Sequence, residues 1–216
     1  MDETNAAPAA AEPSLPAVAF EGPAAQTLAD NAAVIGDLQF VMECCKRLLT
    51  ELAKPEDGRD PVVPQALWSS ALVAYARCFG KGKRLGLTPE DVSSLPLEGE
   101  VMKYHKWLLE ERNRTVSHAA NPFESVKIGA VLTARGDKDR KLKGIAILPV
   151  SHVLVDETGV RQLGGLASEL AKQAAAKAQE QQDAVLTDAQ KLSIESLDAL
   201  PLLQLLTPAE TGEETG

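Results

Sequence analysis

Apolar side chains in the first half of the chain recur at steps of three, four and seven residues, which is the spacing of an amphipathic α-helix. The pattern predicts helices over 27–54, 64–79 and 98–121, with Thr27 as the N-cap of the first. Residues 88–91, with the sequence TPED, combine an N-cap residue, a proline and an acidic first turn, and so predict a short extra helix before the third. The first half should therefore be an all-helical unit.

The apolar pattern changes in the second half of the chain. β-branched residues become frequent in three short segments, which are separated by turn residues such as Gly136-Asp137 and Thr158-Gly159. The segments are 126–134, 143–150 and 152–156. They predict a small antiparallel β-meander over 126–161, followed by a C-terminal helix over 162–190 whose composition has high helix propensity. The expected fold class is α+β, mainly α.

The two ends of the chain differ from the part between them. Residues 1–23 are mostly Ala, Pro and Glu, with almost nothing to bury, and predict a disordered acidic tail. Residues 191–216 hold a short apolar cluster followed by an acidic tail. That cluster is too short to be a domain, and it could dock either onto this chain or onto a partner.

Composition narrows the class of protein. A net charge of −9 argues against a protein that coats nucleic acid generally, although it leaves room for a local basic cleft. Three cysteines, two of them adjacent, lack both disulfide and metal-finger spacing and suggest a reduced, cytoplasmic compartment. No apolar run approaches the roughly 18 residues of a membrane span, and no basic leader is visible. No phosphate-binding glycine loop, cofactor motif or metal-ligand set is recognisable.

A basic cluster follows the second predicted helix. Its members are Arg77, Lys81, Lys83 and Arg84. One interpretation is the rim of a cleft that collects phosphate groups. The other is a solvated helix end, whose cations complement the negative end of the helix dipole.

The segment 98–121 carries the highest density of chemically capable side chains, including two of the three histidines. Helical spacing places Arg112 on or beside its apolar face, where a lone charge is costly unless it meets a partner or an anion. The run RNRTVSH at 112–118 resembles the signature of the HEPN superfamily of helical domains, in which Arg112 is followed directly by Asn113 and, after five intervening residues, by His118. The sequence at 66–84 and the helix before Arg112 resemble the abortive-infection branch of that superfamily.

The resemblance implies an antiparallel HEPN-like helical bundle over about 24–125. It also implies a metal-independent endoribonuclease in phage defence or a toxin–antitoxin system, acting as a homodimer with a composite site. In that site Arg112 would stabilise phosphate charge, His118 would transfer protons and Asn113 would orient a partner. Arg114 and the basic cluster would contact the RNA, the product would carry a 2′,3′-cyclic phosphate, and an antitoxin or other protein could be a partner.

Helical geometry leaves other interpretations open. Residues six apart on an ideal helix point about 120° from each other. Arg112 and His118 therefore share a site only if the helix loosens near Ser117, or if a second subunit contributes its own pair. The alternatives are a catalytically inactive HEPN-like scaffold for dimerisation or partner binding, and a phage accessory protein. His105 is expected to be a structural residue satisfied by a neighbour, and His152 has no predicted role.

Overall fold

The computed structural model describes residues 17–60, 62–80, 82–114, 124–136, 138–151 and 156–203. The helices of the described part are α1 (Pro23–Leu52), α2 (Val62–Arg77), α3 (Pro89–Ser93), α4 (Val101–Arg112), α5 (Glu157–Ala189) and α6 (Ile194–Asp198), and its strands are β1 (Glu124–Leu132) and β2 (Leu142–Ser151). The fold is thus mainly helical with a small antiparallel sheet, as the sequence predicted.

Helix α1 is the centre of the helical part, because it packs against both α5 and α2. Its apolar stripe includes Val34, Leu38, Val41 and Leu48, each no more than 1% exposed. Helix α4 packs against α2, and α3 packs on α4. The stripe on α1 is therefore the core around which the sequence folds the other helices.

The short helix α3 begins as the sequence predicted. The Thr88 hydroxyl accepts a hydrogen bond from the backbone N–H of Asp91, and the Asp91 carboxylate accepts one from the backbone N–H of Thr88. This reciprocal capping box satisfies two N–H groups that the first turn of a helix leaves without partners.

The N-cap predicted for α1, Thr27, is wrong by five residues, because the N-cap is Gly22. The helix begins at Pro23, and the Thr27 hydroxyl donates to the carbonyl of Pro23 inside the first turn instead of capping the helix. Proline suits this first position because its missing N–H has no helical acceptor there.

The prediction of a tail over 1–23 is also wrong for its last seven residues. Val18 forms a β-bridge with Leu202, and the backbone N–H of Leu203 donates to Ala17 O at 2.8 Å. The start of the described chain is thereby joined to the segment after α6. This contact is made by the backbone, and the side chains of Leu202 and Leu203 stay 66% and 54% exposed, so both alternatives for the C-terminal apolar cluster remain predictions.

The second half departs from the predicted meander. Helix α5 begins at Glu157, five residues before the prediction, because the Asp156 side chain accepts from the Gly159 N–H at 2.7 Å and caps the helix. The turn predicted at Thr158-Gly159 is therefore wrong. Residues 152–155 of the predicted third strand lie outside the described residues, and the sheet in the described part has two strands.

Strands β1 and β2 form a hairpin with nearly regular antiparallel register. Ile128 pairs with Ile147 and Ala130 with Ile145, and an irregularity lies between Val131 and Leu132. Because side chains alternate across a strand, these pairs share one face of the hairpin. No helix in the described part of the chain is both long and apolar enough to cross a membrane.

Candidate functional site

Arg112 and Asn113 lie at the carboxyl end of α4, where the sequence placed the centre of the site. Arg112 is the last residue of the helix and is half-buried, and its Nη1 donates to Asn113 Oδ1 at 3.1 Å. The backbone at Asn113 and Arg114 widens into a π turn, a local irregularity that is frequent at functional sites. His118, the third predicted catalytic residue, lies outside the described residues.

Arg114, which lies just after α4, pairs with two carboxylates of that helix. Its Nη2 lies 3.3 Å from Glu110 Oε2, and its Nη1 lies 3.7 Å from Glu111 Oε2. The Glu111 side chain is buried, and this desolvation raises its pKa against the opposing pull of Arg114. The charge that Arg114 would bring to an RNA phosphate is therefore largely balanced within α4.

The basic cluster after α2 is organised around Asp37 of α1. Arg77 and Arg84 both donate through Nη2 to this carboxylate, Arg84 at 2.9 Å, and Arg84 also donates to the carbonyl of Arg77 at 3.2 Å. Asp37 is only 7% exposed, so two cations surround one buried anion. Lys83 is exposed, and Lys81 lies outside the described residues.

A second buried carboxylate on α1 holds the same loop. Asp30 Oδ2 accepts from the backbone N–H of Leu85 at 2.9 Å, and the N–H of Leu87 donates to Cys78 O at 2.7 Å. Asp30 and Asp37 are two turns apart on the buried side of α1, so the loop is fastened along the helix. The sequence reasoning missed both residues. Their signal was available, since two carboxylates stand seven apart beside an apolar stripe, where an unpaired charge would be costly.

His105 has a structural role, as predicted. Its Nδ1 lies 2.8 Å from the hydroxyl of Tyr75, and its ring centroid lies 4.5 Å from that of Phe79. Burial lowers the pKa of His105, and nearby Lys106 lowers it further. A neutral imidazole whose Nδ1 accepts a hydrogen bond from the Tyr75 hydroxyl suits this site.

The cysteines are buried and free, as the sequence indicated. Burial raises the pKa values of Cys45 and Cys78 to about 12, which keeps both thiols protonated near neutrality. They behave as small apolar core residues.

An open cleft between α4, α5 and the loop before α4 is the feature that sequence reasoning missed. Its volume is about 970 Å³. Tyr104 and Trp107 stack along it with ring centroids 5.6 Å apart, and the Tyr104 hydroxyl donates to the carbonyl of Gly159 on α5 at 2.7 Å. The other lining residues are Leu97, Glu98, Gly99, Glu100, Val101, Lys103, Lys106, Glu110, Gln162, Gly165 and Leu166. The cleft thus has an aromatic, apolar base with charged side chains around it.

Among the described residues, no group of three His, Cys, Asp or Glu side chains is placed to hold a metal ion. Comparison with known proteins identified no matching family model, no matching curated protein and no matching solved structure.

Proposed function

We propose that the chain is a HEPN-like protein whose RNA-directed site is centred on Arg112 and Asn113 at the end of α4, in a homodimer. The observation that carries the proposal is the hydrogen bond from Arg112 to Asn113. It orients a half-buried guanidinium at the carboxyl end of the helix, immediately before the segment that contains His118. An oriented arginine fork suits phosphate recognition.

The chemistry would need no metal. A histidine that titrates near neutrality can move protons to and from the 2′-hydroxyl and the leaving oxygen, and a guanidinium can stabilise the charge that develops on phosphate. We assign the first role to His118 and the second to Arg112. The pair from a second subunit would complete the site, which is the composite arrangement that the resemblance implies.

The basic cluster contributes less to this proposal than its charge suggests. Arg77 and Arg84 share one buried carboxylate, so the three groups together carry one positive charge. We therefore assign these two residues mainly to holding the loop on α1. Exposed Lys83 is the described member of the cluster best placed to meet a phosphate.

The test is cleavage of a pool of structured and single-stranded RNA in excess chelator. We expect Arg112→Ala and His118→Ala each to lower the rate by roughly 10²- to 10⁴-fold, the usual range for a positioned proton-transfer group, and the products to end in cyclic phosphate. Arg112→Lys keeps the positive charge but lacks the planar guanidinium fork, so it should restore little of the cleavage rate lost in Arg112→Ala.

The matched control is Arg47→Ala, which removes an exposed arginine that pairs only locally with Glu43. It changes the net charge by the same amount and should leave cleavage unchanged. Circular dichroism shows whether each variant is folded. Folded Arg112→Ala and His118→Ala proteins that cleave RNA as fast as wild type and Arg47→Ala would contradict the proposed site.

A second candidate is a non-catalytic scaffold for partner binding. The observation that favours it is that three of the predicted RNA-contacting cations, Arg77, Arg84 and Arg114, already pair with carboxylates of this chain. A folded dimer that neither cleaves nor binds RNA in the same assay would support the scaffold.

A further inference from the structure

The hairpin of β1 and β2 exposes an apolar face that nothing in the described part of the chain covers. On that face Ile128 is 65% exposed, Ile145 62% and Ile147 67%. The hairpin packs closely on none of the described helices. Since an isolated two-stranded sheet is marginally stable in water, this face calls for a covering surface.

The charge of the hairpin indicates what kind of surface would cover it. Residues 124–151 contain six Lys and Arg against three Asp and Glu, whereas the whole chain has 22 against 31. All six cations are exposed. The hairpin is therefore basic, whereas the rest of the chain is strongly acidic, so the two are complementary in charge.

The cleft between α4 and α5 has the properties that such a hairpin requires. Its base is apolar, and Trp107 in it is 39% exposed. Three carboxylates, Glu98, Glu100 and Glu110, line it together with two lysines; Glu100 pairs with Lys103 at 2.8 Å, and Glu110 pairs with Arg114 at 3.3 Å. An apolar base lined by carboxylates matches the apolar face of a hairpin that carries a net positive charge.

We infer that the hairpin of one copy of this chain docks its isoleucine face into the α4–α5 cleft of a second copy, and that the second copy returns the same contact. The reciprocal exchange gives each copy two buried patches and closes as a symmetric dimer. It goes beyond the RNA-directed function and holds whether or not RNA is cleaved.

Two other occupants fit the observations less well. Two hairpins packed face to face would bring their cations together, which costs energy through like-charge repulsion. Nucleic acid would satisfy the cations but would leave the isoleucines in water, because binding to phosphate is carried by charge and polar contacts.

The first measurement is the mass of the full chain by light scattering or sedimentation over a range of concentrations. Ile147→Asp puts a charge on the docking face of the hairpin. Gly165→Arg puts a bulky cation into the cleft, where an added Cβ at Gly165 meets no atom within 4 Å and so need not disturb the fold. We expect each variant to weaken the dimer at least tenfold.

Gly36→Arg is the matched control. Gly36 is an exposed helical glycine on α1 where an added Cβ likewise meets no atom within 4 Å, and it lies outside the cleft. The substitution should leave dimerisation unchanged, which separates blocking of the cleft from any general effect of an added arginine.

A mixture of the two damaged variants gives the sharpest test. The Ile147→Asp copy keeps an intact cleft and the Gly165→Arg copy keeps an intact hairpin, so the mixed dimer retains one of the two contacts. We expect the mixture to associate more tightly than either variant alone.

Three results would overturn the inference: a wild-type chain that is monomeric throughout, a dimer that survives both substitutions, or a dimer sensitive to Ile147→Asp but not to Gly165→Arg. The last would identify hairpin-to-hairpin contact. Binding to anionic vesicles that is lost in Ile147→Asp alone would assign the hairpin face to a membrane surface instead. A dimer that survives both substitutions would leave the proposed RNA site intact.

Discussion

The helical part and the hairpin use apolar residues in opposite ways. On α1, the core residues Val34, Leu38, Val41 and Leu48 are at most 1% exposed, and the buried carboxylates Asp30 and Asp37 each accept from identified donors. On the hairpin, isoleucines paired across the two strands are more than 60% exposed. Burial of apolar surface is what stabilises a fold, so the helices carry the stability of this chain and the hairpin contributes little.

The largest effect that would sharpen this comparison is expected in the core. Leu38 is 0% exposed, and Leu38→Ala should lower the free energy of unfolding by about 2–5 kcal/mol through lost burial and a cavity. Urea titration followed by circular dichroism measures this. Ile145→Ala on the hairpin, at a concentration where the chain is monomeric, is the control. A comparable loss from Ile145→Ala would break the comparison.

A smaller effect is expected at the carboxylate that holds the basic loop. Asp37→Ala leaves Arg77 and Arg84 without their shared partner, and should cost about 1.5–3 kcal/mol of unfolding free energy, the range for hydrogen bonds to a charged group. Glu43→Ala, which breaks an exposed pair with Arg47, should cost no more than about 1 kcal/mol. Equal losses in the two variants would show that the loop is not fastened through Asp37.

How much of the fold and of the candidate site the sequence could predict depends on whether the interactions involved are local or join distant parts of the chain. The existence of α1, α2 and α4 followed from apolar spacing, and the start of α3 followed from Thr88 and Asp91, because both signals are local. The start of α5 was missed because Asp156 and Gly159 were assigned to a strand and a turn, although together they form a capping motif. Local patterns give the type of an element more reliably than its boundary.

The candidate site was predicted less well for a different reason. The contact of Arg77 and Arg84 with Asp37 depends on how α2 packs against α1, because Asp37 lies forty or more residues earlier in the chain. The cleft likewise depends on α5 lying beside α4, and Tyr104 and Trp107 alone do not reveal it. Contacts between distant segments decide both features, and the spacing of residues along one helix carries no information about them.

A still smaller, pH-dependent effect is expected at His105. Burial lowers its pKa in the folded protein, so the unfolded chain binds more protons as the pH falls below about 6.5, the ordinary value. The contribution of His105 to stability should be fully present above that pH and decline below it, by at most about 1.4 kcal/mol per pH unit. His105→Gln should remove this slope.

The measurement is the difference in unfolding free energy between wild type and His105→Gln from pH 7.5 down to pH 5.5. Taking the difference removes contributions to stability that the two proteins share. One of these comes from Glu111, whose pKa is raised in the folded protein, so that its contribution to stability declines as the pH rises above about 4.5. A difference that stays constant with pH would show that His105 is not buried in its neutral form.

The smallest effect is expected on the hairpin, and it depends on concentration. Ile147→Ser removes apolar surface that the single chain leaves 67% exposed, so the dilute monomer should change by no more than about 0.5 kcal/mol, as at ordinary surface positions. If a second copy covers this face, the dimer is stabilised by mass action, and the loss should grow as the protein concentration rises. Thermal melts at low and high concentration separate the two regimes. A loss of stability that is large and independent of concentration would mean that the isoleucine face is buried within one chain. The hairpin would then contribute to the stability of the fold as the helices do.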